Sequence, residues 1–373
     1  MPKYLDEKPI ILWKIPLGSN GLGGIAATTE CVIVSERGVA DTMDVFRCIS
    51  AKDGKEIWAY RHPAPGPLDY GSSPRATPII TEKYAYLFGA WGHLHCVELE
   101  TGLSVWQLDV REEFQVKDKL AWGMCGTPLL VQNKLILAVG APDASLVALD
   151  PETGKLLWKT PGEQASYGSF IAGILGGKMQ IVGHDANSLG GWDIESGKRL
   201  WKLKPEKEGD YNVPTPIIYE DKLLVTTENN GTRLYGFDPA GVIHPIPIAD
   251  CKELAPETHT PVVIGHYVYG VWNRMFCLDL KSGLKVAWSH EDDAFIGHAN
   301  IIADQERLLI TTSDGEVVLI EANADACKVV GRMRVFDDEK SLYSHPALVG
   351  NRLYMRSSNS LVALELPRTP SDK

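Results

Sequence analysis

Apolar and polar residues alternate with a period of two through most of the chain, in short runs broken by Gly, Pro, Asp and Asn. Two such runs are Thr77-Pro78-Ile79-Ile80 followed by Tyr84 to Gly89, and Thr215-Pro216-Ile217-Ile218-Tyr219 followed by Lys222 to Thr227. Each pair predicts two antiparallel strands joined by a tight turn. The 35 glycines and 23 prolines are scattered throughout, which argues against long helices and for a β-rich fold.

The alternation repeats in a fixed frame. Val147-Ala148-Leu149-Asp150-Pro151-Glu152-Thr153-Gly154 leads to Trp158, and the same frame recurs from Cys96 through Thr101-Gly102 to Trp106. It recurs again from Trp192 through Ser196-Gly197 to Trp201, from Cys277 through Ser282-Gly283 to Trp288, and from Cys48 through Asp53-Gly54 to Trp58. Gly236 to Gly241 and Leu319 to Asp325 follow it without the tryptophan. Trp13, Trp58, Trp106, Trp158 and Trp201 are spaced by 43 to 52 residues, about the length of one four-stranded propeller blade. A strand ending in an acidic residue, a Thr/Ser-Gly turn with positive φ and a return strand carrying a large aromatic describe a hairpin with a packing peg. The indole suits the peg, because its flat body fills the wedge between sheets while its N–H reaches the neighbouring turn.

Inner strands are expected near Ile25, Thr77, Thr127, Ser169, Thr215, Thr260, Ala299 and Pro346, which makes eight units of four strands. The chain ends on a third strand, Ser360 to Leu366, and begins with Ile10-Ile11-Leu12-Trp13-Lys14-Ile15-Pro16, a fourth strand with nothing before it. Joining the two removes open sheet edges. The expectation is therefore all-β: one closed eight-bladed β-propeller of four antiparallel strands per blade, a single domain over residues 1–373, with residues 10–16 closing the final blade against 343–366.

This frame, repeated over eight units, resembles the pyrroloquinoline-quinone-like (PQQ-like) propeller repeat with its tryptophan-docking motif. Families sharing it include quinoprotein alcohol dehydrogenases and the lipoprotein scaffold of the outer-membrane β-barrel assembly machine. For a quinone enzyme the resemblance implies a cofactor funnel with calcium-binding carboxylates and amides, a catalytic aspartate and, in many members, two adjacent cysteines. No two cysteines are adjacent here, and the chain is shorter than the larger dehydrogenases. Asp185 with Asn187, and Glu228 with Asn229, have the composition of calcium ligands but also of ordinary polar turns. The expected function is binding of a ligand or protein partner on the central funnel and loop face, without PQQ. The alternatives are a metal-dependent enzyme acting on a saccharide or similar polar substrate, and a PQQ-dependent oxidoreductase. Relatives are usually exported, which implies a periplasmic or extracellular location.

Charge narrows the partners. With 37 basic against 48 acidic side chains, the net charge of −11 repels nucleic acid and anionic membranes. No apolar stretch approaches the roughly 18 residues of a membrane span, and the start MPKYLDEKPIILW lacks a basic segment followed by an apolar one, so neither a transmembrane segment nor an export signal is expected in the chain as given, and a monomer is. Seven cysteines without metal-finger spacing argue against a disulfide framework; Cys48, Cys96 and Cys277 share one small strand position with Ala148 and Gly191 and are expected to be reduced core residues.

Candidate chemistry comes from aligning the inner strands. The residue before the Thr-Pro or its equivalent is Ala76, Gly126, Gly168 and Pro214, then His259, His298 and His345 in three consecutive repeats. Three imidazoles at one depth are candidate ligands for a divalent transition metal, and candidate catalytic groups together with Tyr167 and Tyr343. The plainer alternative is a polar channel lining. Arg75, Trp91, His184, Asp185, Trp272 and Arg274 are the candidate ligand-binding residues. Trp91, Trp122 and Trp272 lie outside the docking frame, where an indole either wedges into the core, the leading expectation, or stacks on a sugar or planar ring.

Overall fold

The computed structural model describes residues 1–117, 120–337, 339 and 342–368. Among these the chain forms eight four-stranded antiparallel sheets, the blades of an all-β propeller. Blade 1 is Ala26–Ala27, Cys31–Arg37, Met43–Ser50 and Glu56–Pro63 in sequential order. Blades 2 to 7 follow over residues 79–109, 129–160, 171–203, 217–251, 262–290 and 299–334. Blade 8 takes Ala347–Val349, Arg352–Arg356 and Ser360–Glu365 from the end of the chain and Ile10–Pro16 from its start. Ile10 pairs with Glu365 and Pro16 with Ser360, so the N-terminal strand supplies the outer edge as the unpaired runs predicted. No described helix is long and apolar enough to cross a membrane.

Two compact units emerge. Residues 1–105, 273–275 and 288–373 form one, and residues 106–272 and 276–287 the other. Within the first, blades 1 and 2 bury Ile33, Phe46, Cys48 and Trp58 against Ala85, Leu87 and Val97, and blades 7 and 8 bury Leu309, Leu319 and Met333 against Leu353, Met355 and Val362. Within the second, Ile136, Leu146 and Ala148 of blade 3 meet Ile181 and Trp192 of blade 4. At about 25 cal/mol per Å² of apolar area, each such layer contributes several kcal/mol.

The repeat frame acts as a joint between successive blades. The acid of the turn organises the backbone: Asp150 Oδ1 accepts from the Thr153 amide and hydroxyl at 2.8 Å each, and Asp193 accepts likewise from Ser196. Gly54, Gly102, Gly154 and Gly197 follow with φ from +69° to +73°. A Cβ there would lie 2.3 to 3.0 Å from a ring atom of Trp13, Trp58, Trp106 and Trp158 respectively, so glycine is required by both conformation and contact. The indoles donate into the same turns, Trp13 to Ala51 O, Trp58 to Leu99 O, Trp106 to Pro151 O, Trp158 to Ile194 O and Trp288 to Asn323 O, at 2.8 to 3.1 Å. Opposite the peg on the adjacent strand stands a small residue: Cys48 faces Trp58, Ala148 faces Trp158, Gly191 faces Trp201 and Ala363 faces Trp13.

Trp201 departs from the frame. Its N–H donates to Gln180 Oε1 at 2.6 Å, and Gln180 Nε2 donates in turn to Leu175 O and Gly241 O, so a buried glutamine relays the indole to the degenerate turn.

Candidate functional site

The second unit contains a buried polar cluster built on blades 4 and 5. His184 ends the strand Lys178–His184, Asp185 and Ser188 form the turn after it, and Arg199 opens the fourth strand of blade 4. Asp185 Oδ1 accepts from Ser188 Oγ at 2.8 Å and the Asn187 amide at 3.0 Å, while Oδ2 accepts from Arg199 Nη1 at 2.8 Å. That carboxylate is saturated by the turn and by a largely buried ion pair. Beside it, His184, Ser188, Asp210, Asn212, Arg233 and Tyr235 line a cavity of about 10 Å³, the volume of one water molecule. Asp210 accepts from the Asn229 amide at 2.8 Å and Asn230 Nδ2 at 2.6 Å, and Arg233 Nη2 donates to Thr227 Oγ1 at 2.7 Å.

Two nitrogens of this cluster, His184 Nε2 and Arg233 Nε, are buried without a protein partner. Burial pushes the His184 pKa down to about 3, Arg233 lowers it further and Asp210 opposes. His184 is therefore a neutral imidazole at pH 7, able to donate or accept one hydrogen bond at its free nitrogen according to its tautomer.

An aromatic group adjoins the cluster. The Trp122 ring centroid lies 4.5 Å from that of Tyr167 and 4.8 Å from that of Tyr211, which is 53% exposed. Both tyrosines are tied to the polar residues through the backbone: Ser166 Oγ donates to His184 O at 2.9 Å, Ala165 bridges Asp185, and Asn212 Nδ2 donates to Asp185 O at 3.4 Å. Gly126 and Gly168 explain the tight convergence, since a Cβ at Gly126 would meet Gly168 O at 2.8 Å and one at Gly168 would meet Asn212 O at 2.5 Å. Burial raises the Tyr167 pKa, so its hydroxyl stays protonated.

The structure brings together His184, Asp185, Trp122 and Tyr167 and leaves the other candidates elsewhere. In the first unit, His298 stands edge-on to Tyr343 with centroids 5.1 Å apart, and His345 is a buried ring whose carbonyl accepts from the Ile25 amide at 3.0 Å. Burial lowers the His345 pKa. His259 is buried in the second unit, and the following Thr260 accepts from the Thr215 amide. Among the described residues, no group of three or more His, Cys, Asp or Glu is arranged to hold a metal ion. Arg75 donates to the carbonyls of Ser73, Asp69 and Gly71 and clamps its own loop. Trp91 packs on Gly66, Trp272 on the core of blades 5 and 6, and Arg274 pairs with Glu291 at 3.0 Å.

A second histidine group lies where the repeat frame gave no signal. In the first unit the His62 ring packs at a tilt against His93 and His95, with centroids 4.2 and 4.6 Å apart, and the Tyr60 hydroxyl meets His95 Nδ1 at 3.0 Å. Burial, reinforced by His62 and His93, holds the His95 pKa near 3. The His-x-His spacing at 93 and 95 places both rings on one strand face and was the available clue.

The family profile described as outer membrane protein assembly factor BamB matches residues 7–121 and 113–327. The chain belongs to this family. Other resemblances run in two directions. A quinoprotein alcohol dehydrogenase, PedH, from Pseudomonas putida is 26% identical over 191 residues, 48% of this chain and 29% of that enzyme. The match thus spans under a third of the enzyme's length. The solved BamB from Moraxella catarrhalis covers 96% of this chain with TM-score 0.64 at 15% identity, and a europium-containing methanol dehydrogenase covers 95% with TM-score 0.68 at 10% identity, likenesses of fold.

The dehydrogenase relatives are quinoproteins by name, and the polar cavity of blades 4 and 5 does not fit a quinone. The cavity is far smaller than a tricyclic quinone, Asp185 is already neutralised by Arg199, and Glu228 Oε1 accepts from the Tyr211 amide. We derive no step through the quinone.

Proposed function

We propose that this BamB-family propeller is a binding protein, without PQQ, that takes a neutral polyhydroxylated ligand such as an oligosaccharide on the Trp122–Tyr167–Tyr211 platform. The observation that carries this reading is the exposed tyrosine packed at a tilt against Trp122, in the same 210–212 segment whose Asp210 and Asn212 line the polar cavity. Aromatic faces supply apolar contact to the C–H face of a sugar, and fixed carboxylate and amide groups beside them supply hydrogen bonds to hydroxyls. The net charge of −11 favours a neutral sugar over an anionic one.

The cell envelope, a single-domain monomer over residues 1–373 and polar roles for His259, His298 and His345 belong to the same proposal. The family's assembly-factor description supports a second reading, in which the loop face binds a protein. Tryptophan fluorescence titrated with neutral and anionic oligosaccharides tests the first. Saturable quenching by neutral sugars, lost in Trp122→Ala at unchanged melting temperature, is the expected result. No quenching by any sugar, with retained capture of an envelope protein by both wild type and Trp122→Ala, would transfer the proposal to the second reading.

A further inference from the structure

We propose that Cys31 and Cys48 form a reversible redox pair inside blade 1, a dithiol that a small peroxide converts to a disulfide. All seven cysteines are present as free thiols, and five are buried. Cys31 and Cys48 differ from the rest in facing each other. On the antiparallel strands Cys31–Arg37 and Met43–Ser50, Cys31 pairs with Ser50 and Ile33 with Cys48, so the two side chains lie diagonally on one face of the sheet. Both belong to one buried cluster with Ile33, Phe46 and Trp58.

The surroundings distinguish a nucleophile from a resolving partner. Thr28 Oγ1 lies 3.7 Å from Cys31 Sγ and accepts from the Cys31 amide at 3.1 Å. The neighbouring Cys48 thiol, with the Thr28 contact assisting, lowers the Cys31 pKa against the opposing effect of burial. The neighbouring Cys31 and burial raise the pKa of Cys48. The opposite shifts favour Cys31 over Cys48 as the thiol that ionises first, the division of labour found where one thiol reacts and a second resolves it.

The chemistry balances with a peroxide as oxidant. The Cys31 thiolate attacks one peroxide oxygen, the O–O bond breaks, hydroxide leaves and Cys31 becomes a sulfenic acid. The Cys48 sulfur then attacks Cys31 Sγ, water leaves with the Cys48 proton, and the S–S bond forms. Two thiols and one hydrogen peroxide give one disulfide and two waters. Burial of both sulfurs excludes a bulky disulfide oxidant and admits a small one.

Diagonal positions on adjacent strands stand about 7–8 Å apart, beyond the usual Cα span of a disulfide, so the bond requires a local shift. Cys31 is the first residue of its strand, directly after a turn in which the Thr28 amide donates to its carbonyl at 2.8 Å, and this is where the backbone can yield. A bond closed against such strain is readily reduced again.

The test is peroxide treatment of the native full-length protein, thiol counting after unfolding and a tryptic map. The expected result is a fall from seven titratable thiols to five at a peroxide dose that leaves the half-buried Cys125 and Cys327 reduced. The map should show residues 15–37 linked to residues 48–52, released by dithiothreitol. Cys48→Ser should accumulate a dimedone-reactive sulfenic acid on Cys31 with no link. Oxidation of Cys125 or Cys327 before the pair, a sulfenic acid persisting on Cys31 in the wild type, or any different linkage would overturn the proposal without recourse to the variant.

Discussion

Gly102→Ala isolates the joint between blades 1 and 2. Gly102 sits at φ +70°, where its amide donates to Glu98 O at 2.8 Å, and a Cβ there would lie 2.7 Å from both Cγ and Cδ2 of Trp58 and 3.0 Å from its Cβ. The opposing atoms are at the root of the indole, not its free end, so a rotamer change does not relieve the overlap. Alanine in the left-handed region costs about 1–2 kcal/mol, and forcing a carbon into a filled interface adds about 1–3 kcal/mol, so the expected loss is about 2–5 kcal/mol. Trp58→Ala alone should cost about 3–5 kcal/mol, the range for a large buried aromatic. In the double variant the contact no longer exists, and adding Gly102→Ala to Trp58→Ala should cost only the backbone part. Urea unfolding followed by far-ultraviolet circular dichroism reads all three variants in one double-mutant cycle. A loss below about 1 kcal/mol for Gly102→Ala, or the same increment with and without Trp58, would refute the claim that the turn glycine is there to seat the indole.

Trp158→Ala should likewise destabilise by about 3–5 kcal/mol, measured by the same unfolding curve, because the ring rests on Gly197 and donates to Ile194 O. Removing residues 1–16 strips blade 8 of its outer strand and of Trp13; a truncated chain that stays monomeric in sedimentation and melts within a few degrees of the parent would contradict that pairing. Acid sensitivity follows from His95 and His184, both held near pKa 3 in the fold against about 6.5 when unfolded. Between those values the unfolded chain binds protons the fold refuses, so stability falls as pH drops below about 6.5. Asp44, raised to about 6 by burial, opposes this down to its ordinary carboxyl range, while His345, lowered by burial, adds to it. His184→Gln should flatten that slope in melts across pH, and an unchanged slope would show that this imidazole is not the titrating group.

What the sequence alone determined was the part of the structure built from contacts at one repeated separation. An acid, a Thr/Ser-Gly turn and a tryptophan recur because every blade must seat the next in the same way, so eight units, their four strands and the closing role of residues 10–16 were legible from residue type and spacing. Glycine's two duties at the turn, positive φ and room for the indole, act through neighbours fixed by the same frame. Tertiary structure decided what lies outside the frame. His184, Arg199, Asp210 and Arg233 share no motif, come from strands and loops of two blades, and become one cluster only when those blades pack. The same packing turns Arg75 back on its own loop and sets His298 against Tyr343, because side-chain direction depends on neighbours that a register count does not include. Cys31 and Cys48 show the division within one hairpin. The small size of Cys48 was readable as the requirement of a crowded core, whereas its diagonal placement against Cys31 depends on the strand register, which the turn at residues 38–42 fixes only in the folded blade.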